Sequence, residues 1–383
     1  CRRMVNANLN TLGIIFPNSY DTFVPDLVNV RLMGSIPFAS RYRMIDFMLS
    51  SMANCGIDTV AAIVNNNYQS VIDHLGSGRS WDLVRKNGGL KIFPPYADKS
   101  SKPYRGRAGA LANILGFLND QKKKYVILAD CHIAANFDFN KLVNSHIESG
   151  ADITMVYREQ EIPEGFRKVR DDSKGYYYTL GLDDDKVTKI YINSKEEGIQ
   201  NFSLNIIVLE RELLIDLITE ASLLGKEWLE RDVLIPQLNK LNVRGYKYDG
   251  YVACISNIKT YFDENMKLLD DYNLNALFSP SPIYTKVRDD TPTRYVEGAT
   301  VRNVMVADGC LIEGEVENSI LSRGVKIAKG AKVKNCILMQ DTVVEAGADI
   351  EYLIADKNVI VTAGKEMKGT DTYPVYIAKF HIV

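Results

Sequence analysis

The sequence predicts an α/β domain with a mostly parallel sheet, followed by a left-handed parallel β-helix. Three observations lead there. From residue 10 to about 275, short β-rich runs alternate with amphipathic helical patterns, which implies crossover connections and a parallel sheet of nucleotide-binding type. A Pro- and Ser-rich stretch, "SPSPIYTKVRDDTPTRY", interrupts that pattern after Phe278 and reads as a crossover between domains. Beyond it a six-residue beat sets in: Val325, Ala331, Ile337 and Val343, with Leu321, Ile327, Val333 and Met339 keeping the same spacing. Hexapeptide periodicity is the pattern of a β-helix with three short strands per coil, and an antiparallel meander has no reason to keep it. The division is therefore 1–278 and 279–383.

Taken in order, the strand candidates are Thr11–Phe16, Thr59–Val64, Tyr125–Ala129, Asp152–Tyr157 and Leu204–Leu209, all rich in β-branched and apolar residues. Amphipathic helices are expected over Arg43–Asn54, Ala110–Asn119 and Phe139–Ser149. Gly309, Gly314, Gly324, Gly330, Gly347 and Gly364 punctuate the hexapeptide half as turn residues. Flat sides of such coils stack, which suggests an assembly rather than a lone subunit.

Composition narrows the class. An apolar fraction of 46% and a charged fraction of 25% are those of a soluble globular chain. A net charge of −2 argues against a general nucleic-acid binder. No apolar run reaches the roughly 18 residues of a membrane span, and no signal-peptide pattern precedes the first strand. Cys1, Cys55, Cys131, Cys254, Cys310 and Cys336 are scattered without a C-x-x-C pair, as reduced cysteines of a cytoplasmic protein would be. The opening Cys1-Arg2-Arg3 is set aside.

Two stretches carry candidate chemistry. In "YVILADCHIAANFDF" a β run stops at Asp130-Cys131-His132, and polar residues just past the carboxyl end of a strand sit in the ligand crevice of an α/β sheet. Successive side chains of an extended segment face opposite ways, so Asp130 and Cys131 cannot both serve one site unless the chain bends locally. His132 is expected to be a hydrogen-bonded structural residue rather than a base. Second, Arg31, Arg41 and Arg43 lie within thirteen residues beside a predicted helix. They could clamp phosphates or form ordinary surface ion pairs.

Several segments together resemble the ADP-glucose pyrophosphorylase (glucose-1-phosphate adenylyltransferase) family. "SIPFASRYRMIDFMLSSMANCGI", "HLGSGRSWDL", "YRGRAGALANI" and "GYVACISNIKTYFDENMKLL" follow the family's motifs in order. The resemblance covers nearly the whole chain and implies a Rossmann-like nucleotidyltransferase domain ahead of the β-helix. The family joins ATP to glucose 1-phosphate and releases pyrophosphate, with magnesium held by carboxylates and a Gly-rich loop around the phosphates.

The departures from the family pattern fall on that machinery. Where the Gly-rich loop belongs, "FPNSYDTFVPD" (Phe16–Asp26) carries no glycine and no basic residue. Pro17 and Pro25 have no amide to donate, and a family Lys aligns with Met33. The metal-holding Asp positions fall on Cys131 and Cys254, the Thr and Asp of another motif on Arg107 and Gly109, and a Gly on Asn205. Asp130 and Asp232 remain as residual carboxylate candidates. The catalytic set thus reads as degenerate at Met33, Cys131 and Cys254, with no metal site and no cofactor expected on this chain.

This pattern resembles the GlgD-type regulatory branch of the family. The resemblance implies a cytoplasmic heterotetramer with a catalytic partner that holds the magnesium. It also implies an allosteric site between the two domains for sugar phosphates such as fructose 1,6-bisphosphate. Arg31 and Arg43 match basic effector positions and Arg41 replaces a family Lys, while Val30 and Pro37 stand where a Lys and a His-type residue are absent. Two alternatives stay open: an active adenylyltransferase using Asp130 and Asp232 with a remodelled loop, and a hexapeptide acyltransferase. The second has only His381 to offer in the β-helix half.

Overall fold

A computed structural model describes residues 10–86, 88–95, 104–168 and 175–383; the Cys1-Arg2-Arg3 opening lies outside them. The first domain is built on a nine-stranded sheet. Thr11–Phe16 lies between Thr59–Ile63 and Tyr125–Asp130, parallel to both, and Gly89–Phe93 extends the outer edge in the same sense. On the other side come Ile199–Glu210, antiparallel to Tyr125–Asp130, and then Ile153–Glu161, antiparallel in turn. Val243–Lys247 runs parallel to Ile153–Glu161, and Lys186–Ile192 and Tyr178–Asp183 close the sheet as antiparallel strands. Parallel pairing is therefore concentrated around the first strand, where helices supply the crossovers.

The central strands are buried on both faces, and period-two alternation divides them between two cores. Val60, Ile127, Ala129 and Cys131 belong to the core under the helices Met44–Asn54 and Phe139–Ser149. Leu12, Ile14, Phe16, Val126 and Leu128 belong to the core on the opposite face. The helix Phe139–Ser149 forms as expected, with the Asp138 carboxylate accepting from the amides of Asn140 and Lys141 at its start. The helix expected over Ala110–Asn119 is two shorter ones, Arg107–Ala112 and Leu115–Asp120. Asn113 and Gly116, both weak helix formers, flank the break.

After the helix Asp271–Phe278 the chain crosses to the β-helix, whose first strand is Arg294–Tyr295. Its rungs stack in parallel: Val316, Val333, Ile350 and Met367 are successive partners. These are seventeen residues apart, one fewer than three six-residue sides would give. The beat accordingly holds through Val325, Ala331 and Ile337, which are buried, and slips at Val343, where Val344 faces inward instead. Residues in the left-handed conformation stack at each corner: Asn318, Asn335 and Tyr352 at one, Gly324, Asp341 and Asn358 at the second, Gly330, Gly347 and Gly364 at the third. Gly and Asn tolerate that conformation best.

The two halves share a core. Met33, Ile36, Phe38 and Phe47 pack with Phe262 and Leu268 and with the β-helix residues Ile320, Ile337 and Ile354. The Arg31 guanidinium crosses the boundary to the Asp356 carboxylate at 2.6 Å, both side chains buried.

Candidate functional site

The candidate residues fall around two cavities, one in the first domain and one at the boundary. The first, a cavity of about 320 Å³, opens beyond the carboxyl ends of the central strands and is lined by residues of the Phe16–Asp26 loop, Asp130, Asn205, Arg107, Tyr104 and Glu230.

The loop turns on itself. The amides of Ser19, Asp21, Phe23 and Val24 donate to the carbonyls of Phe16, Asn18, Tyr20 and Asp21, so these four donors are already occupied. The Asp21 carboxylate accepts from the Met33 amide at 2.6 Å and from Asn18 Nδ2 at 2.8 Å. Burial pushes the Asp21 carboxyl up to about 7. Tyr20, with φ 70°, projects into the cavity and accepts from Asn205 Nδ2 at 2.5 Å.

Asp130 is the last residue of its strand, and alternation sends it away from the core that takes Ala129 and Cys131. Its Oδ2 accepts from Asn205 Nδ2 at 2.9 Å, and its Oδ1 lies 3.7 Å from Arg107 Nη1. Arg107 also donates to the Asn205 carbonyl at 3.0 Å and forms an ion pair with the buried Glu230. Burial raises the Asp130 carboxyl above the usual range, opposed by Arg107 and Asn205. Arg107 is thus charge-paired with Asp130 and Glu230, and Asn205 links the Tyr20 phenol to Asp130 Oδ2, while Asp130 Oδ1 has no hydrogen-bond donor among the described residues. Arg107 also stands over the Phe16 ring, 5.6 Å from its centroid.

The other positions lie elsewhere. Cys131 is fully buried in the helix-side core, and burial pushes its thiol well up. Cys254 is buried in a short strand paired with Ile133, its thiol also pushed up by burial. The Met33 side chain is fully buried in the core shared with the β-helix. Asp232 does not line the cavity. It accepts from the Glu227 and Trp228 amides at 3.2 and 3.0 Å and pairs with Arg231 at 2.6 Å. His132 corrects an expectation: it is fully buried, but neither ring nitrogen has a hydrogen-bond partner among the described residues. It packs against Tyr20 at 4.3 Å instead, and burial pushes it down to about 3. Among the described residues no three His, Cys, Asp or Glu side chains gather as a metal site would require.

The boundary cavity, about 270 Å³, has the opposite electrostatics. Arg41, Arg43, Lys286, Arg288, Arg323 and Lys357 line it, with Ser40, Tyr42 and His74. Arg43 Nη1 donates to the Ser70 carbonyl and hydroxyl at 2.8 and 2.9 Å. Burial lowers Arg43 to about 10, and Arg41, half-exposed, stands 3.9 Å from Asp308. Arg31 is not in this wall; its charge is spent on Asp356 behind it. Two of the three arginines singled out by spacing therefore meet, joined by Lys286, Arg288, Arg323 and Lys357, which spacing did not indicate. Glu230 was likewise missed. Its neighbours in "ERDVLIP" gave no sign that the π-helical turn Leu229–Leu234 would aim it, rather than Asp232, at the cavity.

Comparison with known proteins agrees with this layout. The nucleotidyl transferase family matches residues 31–189, and the GlmU-like C-terminal hexapeptide family matches residues 288–373. A glycogen biosynthesis protein GlgD of Bacillus subtilis is 33% identical over 85% of this chain and 83% of its own length. The GlgD of Geobacillus stearothermophilus is 36% identical over the same shares. A glucose-1-phosphate adenylyltransferase of Bacillus mycoides is 31% identical over 78% of this chain and 79% of its own. With the sheet, the hexapeptide coils and these relatives in agreement, the chain belongs to the glucose-1-phosphate adenylyltransferase (ADP-glucose pyrophosphorylase) family, alongside its GlgD proteins.

Proposed function

We propose that this chain is a regulatory subunit of a bacterial ADP-glucose pyrophosphorylase, with little or no turnover of its own, acting in glycogen synthesis. It would work in a cytoplasmic heterotetramer with a catalytic subunit that converts ATP and glucose 1-phosphate to ADP-glucose and pyrophosphate. The names of the GlgD relatives support the pathway. The observation that carries the catalytic part is the pairing of Arg107 with Asp130 and Glu230 at the strand ends, with Asn205 and Tyr20 bonded to the same cluster. Phosphoryl transfer is catalysed mainly by positioning and charge neutralisation, and the one buried cation there is already neutralised. Nor does the donor set fit magnesium: no three carboxylate, thiol or imidazole groups gather among the described residues, Asp130 faces Arg107, and the thiols of Cys131 and Cys254 are buried and held protonated. The metal is accordingly assigned to the partner.

The regulatory part rests on the boundary cavity. Arg41 and Arg43, with the four further cations, suit a sugar phosphate that bridges the domains. An active site built on Asp130 and Asp232 is disfavoured because Asp232 caps its own turn. An acyltransferase is disfavoured because His381, the one His in residues 279–383, is exposed. The test compares ADP-glucose synthesis by this chain, by the catalytic subunit and by their mixture, with and without fructose 1,6-bisphosphate. The expected result is negligible turnover by this chain alone and a changed rate or effector response in the mixture. Magnesium-dependent turnover by the chain alone, or two separate size-exclusion peaks with unchanged kinetics, would overturn the proposal.

A further inference from the structure

Lys357 differs from the other cations around the boundary cavity. Arg41 faces Asp308, Arg288 lies 3.3 Å from Asp290, Arg323 lies 3.8 Å from Asp290, Arg43 is held by Ser70, and Lys286 Nζ donates to the Asp73 carbonyl at 2.7 Å. Lys357 lines the same cavity, and among the described residues its ammonium is acted on by burial and by neighbouring charges, with no hydrogen bond to it. Its neighbouring carboxylate, Asp356, is committed to Arg31 at 2.6 Å, the Tyr376 hydroxyl at 2.6 Å and the Lys357 amide at 2.6 Å.

Arg43 comes from the first domain, with Arg31 behind it, and Lys379 from the C-terminal segment; all three repel the ammonium, and only Asp356 opposes them. His74 lies in the same wall, bonded to Asp46 at 2.5 Å, and its own titration is pushed down by burial. Lys286 and Arg288 on the crossover and Arg323 on the β-helix add positive charge; Asp290 and Asp308 are the carboxylates that answer it. A half-buried ammonium with three cationic neighbours and no partner is one whose proton is easily lost until an anion arrives.

We propose that anion binding in the boundary cavity is coupled to proton uptake at Lys357, so that pH sets the occupancy of the site together with effector concentration. The inference rests on the reading of this cavity as an effector site. Desolvation and the neighbouring cations bring Lys357 down to about 7 in the free protein. A bound dianion supplies the missing counter-charge and raises it again. A group whose proton is bound more tightly in the complex strengthens binding below the free-state value and weakens it above. Affinity therefore falls as pH rises through 7.

Sulfate is the probe, because it stays a dianion throughout this range, whereas phosphate esters gain charge near pH 6 and mask the effect. Binding is measured by calorimetry on the full chain at constant ionic strength. The dissociation constant should rise about tenfold between pH 6 and pH 8, one proton being lost per site. Lys357→Arg should bind with little pH dependence, and Lys357→Met should bind at the wild type's pH 8 level throughout. Arg323→Ala, weakening sulfate at both pH values, locates the ion in the cavity. If wild type binds sulfate with no pH dependence, proton coupling is wrong and the effector reading stands. If sulfate does not bind at pH 6, or Arg323→Ala leaves its binding unchanged, both fall.

Discussion

A single step along the chain separates Asp130 from Cys131, and the alternation of an extended strand sends them to opposite faces. Asp130 ends beside Arg107 and Asn205, while Cys131 joins Ile127 and Ala129 among apolar side chains. A Cys131→Asp substitution would therefore place a carboxylate in a dry core rather than in the cavity. A fully buried carboxylic acid has its pKa raised by roughly 3 units or more, so the variant should lose about 4 kcal/mol of stability at pH 7. Since the folded-state value is raised, that loss grows from about pH 4 upward and is smallest in acid. Urea unfolding at pH 5 and pH 8 measures both points. The substitution should not raise ADP-glucose synthesis above that of the parent chain, and robust turnover from this one change would show that the face assignment is wrong.

At the scale of elements, the β-helix depends on its corners. Gly347 has φ +70°, and a Cβ built there meets nothing within 4 Å. Any cost of a side chain at this corner is therefore conformational. Gly347→Val should destabilise the protein by about 1–2 kcal/mol, the cost of the left-handed conformation for an ordinary residue. Gly347→Asn should be much milder, since Asn already occupies the left-handed positions at 335 and 358. Thermal unfolding of the two variants decides it: equal losses would mean that space rather than backbone conformation limits this corner. The loop after the first strand obeys a related rule, because turns that use their own amides leave few for a ligand.

For the molecule as a whole, the joint between the halves combines an apolar core with one buried ion pair. Arg31 is 2% exposed and Asp356 is fully buried, so each depends on the other. Removing one partner of such a pair costs about 3–5 kcal/mol, whereas replacing both with apolar residues is often neutral. Arg31→Ala should accordingly destabilise far more than Arg31→Met combined with Asp356→Leu. Chemical denaturation of the full chain makes the comparison. A small loss in the single variant would mean that the packing of Met33, Phe47, Ile320 and Ile354 holds the halves together without the pair. Asp356 also adjoins Lys357, so this rivet and the cationic cavity lie back to back.

The sequence by itself determined what depends on near neighbours. A run of β-branched and apolar residues set the strand Thr11–Phe16, an amphipathic pattern set the helix Phe139–Ser149, and the six-residue beat set the coils. Even the opposite fates of Asp130 and Cys131 follow from local geometry. Tertiary structure alone decided the partners. Arg107 and Glu230 lie more than a hundred residues apart, and no spacing rule joins them. Arg31 and Arg43 look alike in sequence, yet one is buried against Asp356 and the other faces a cavity completed by Lys286, Arg323 and Lys357. The reason is physical: side-chain direction repeats along an element, but charge pairing depends on which element docks opposite. Here that is fixed by how the β-helix packs onto the sheet domain.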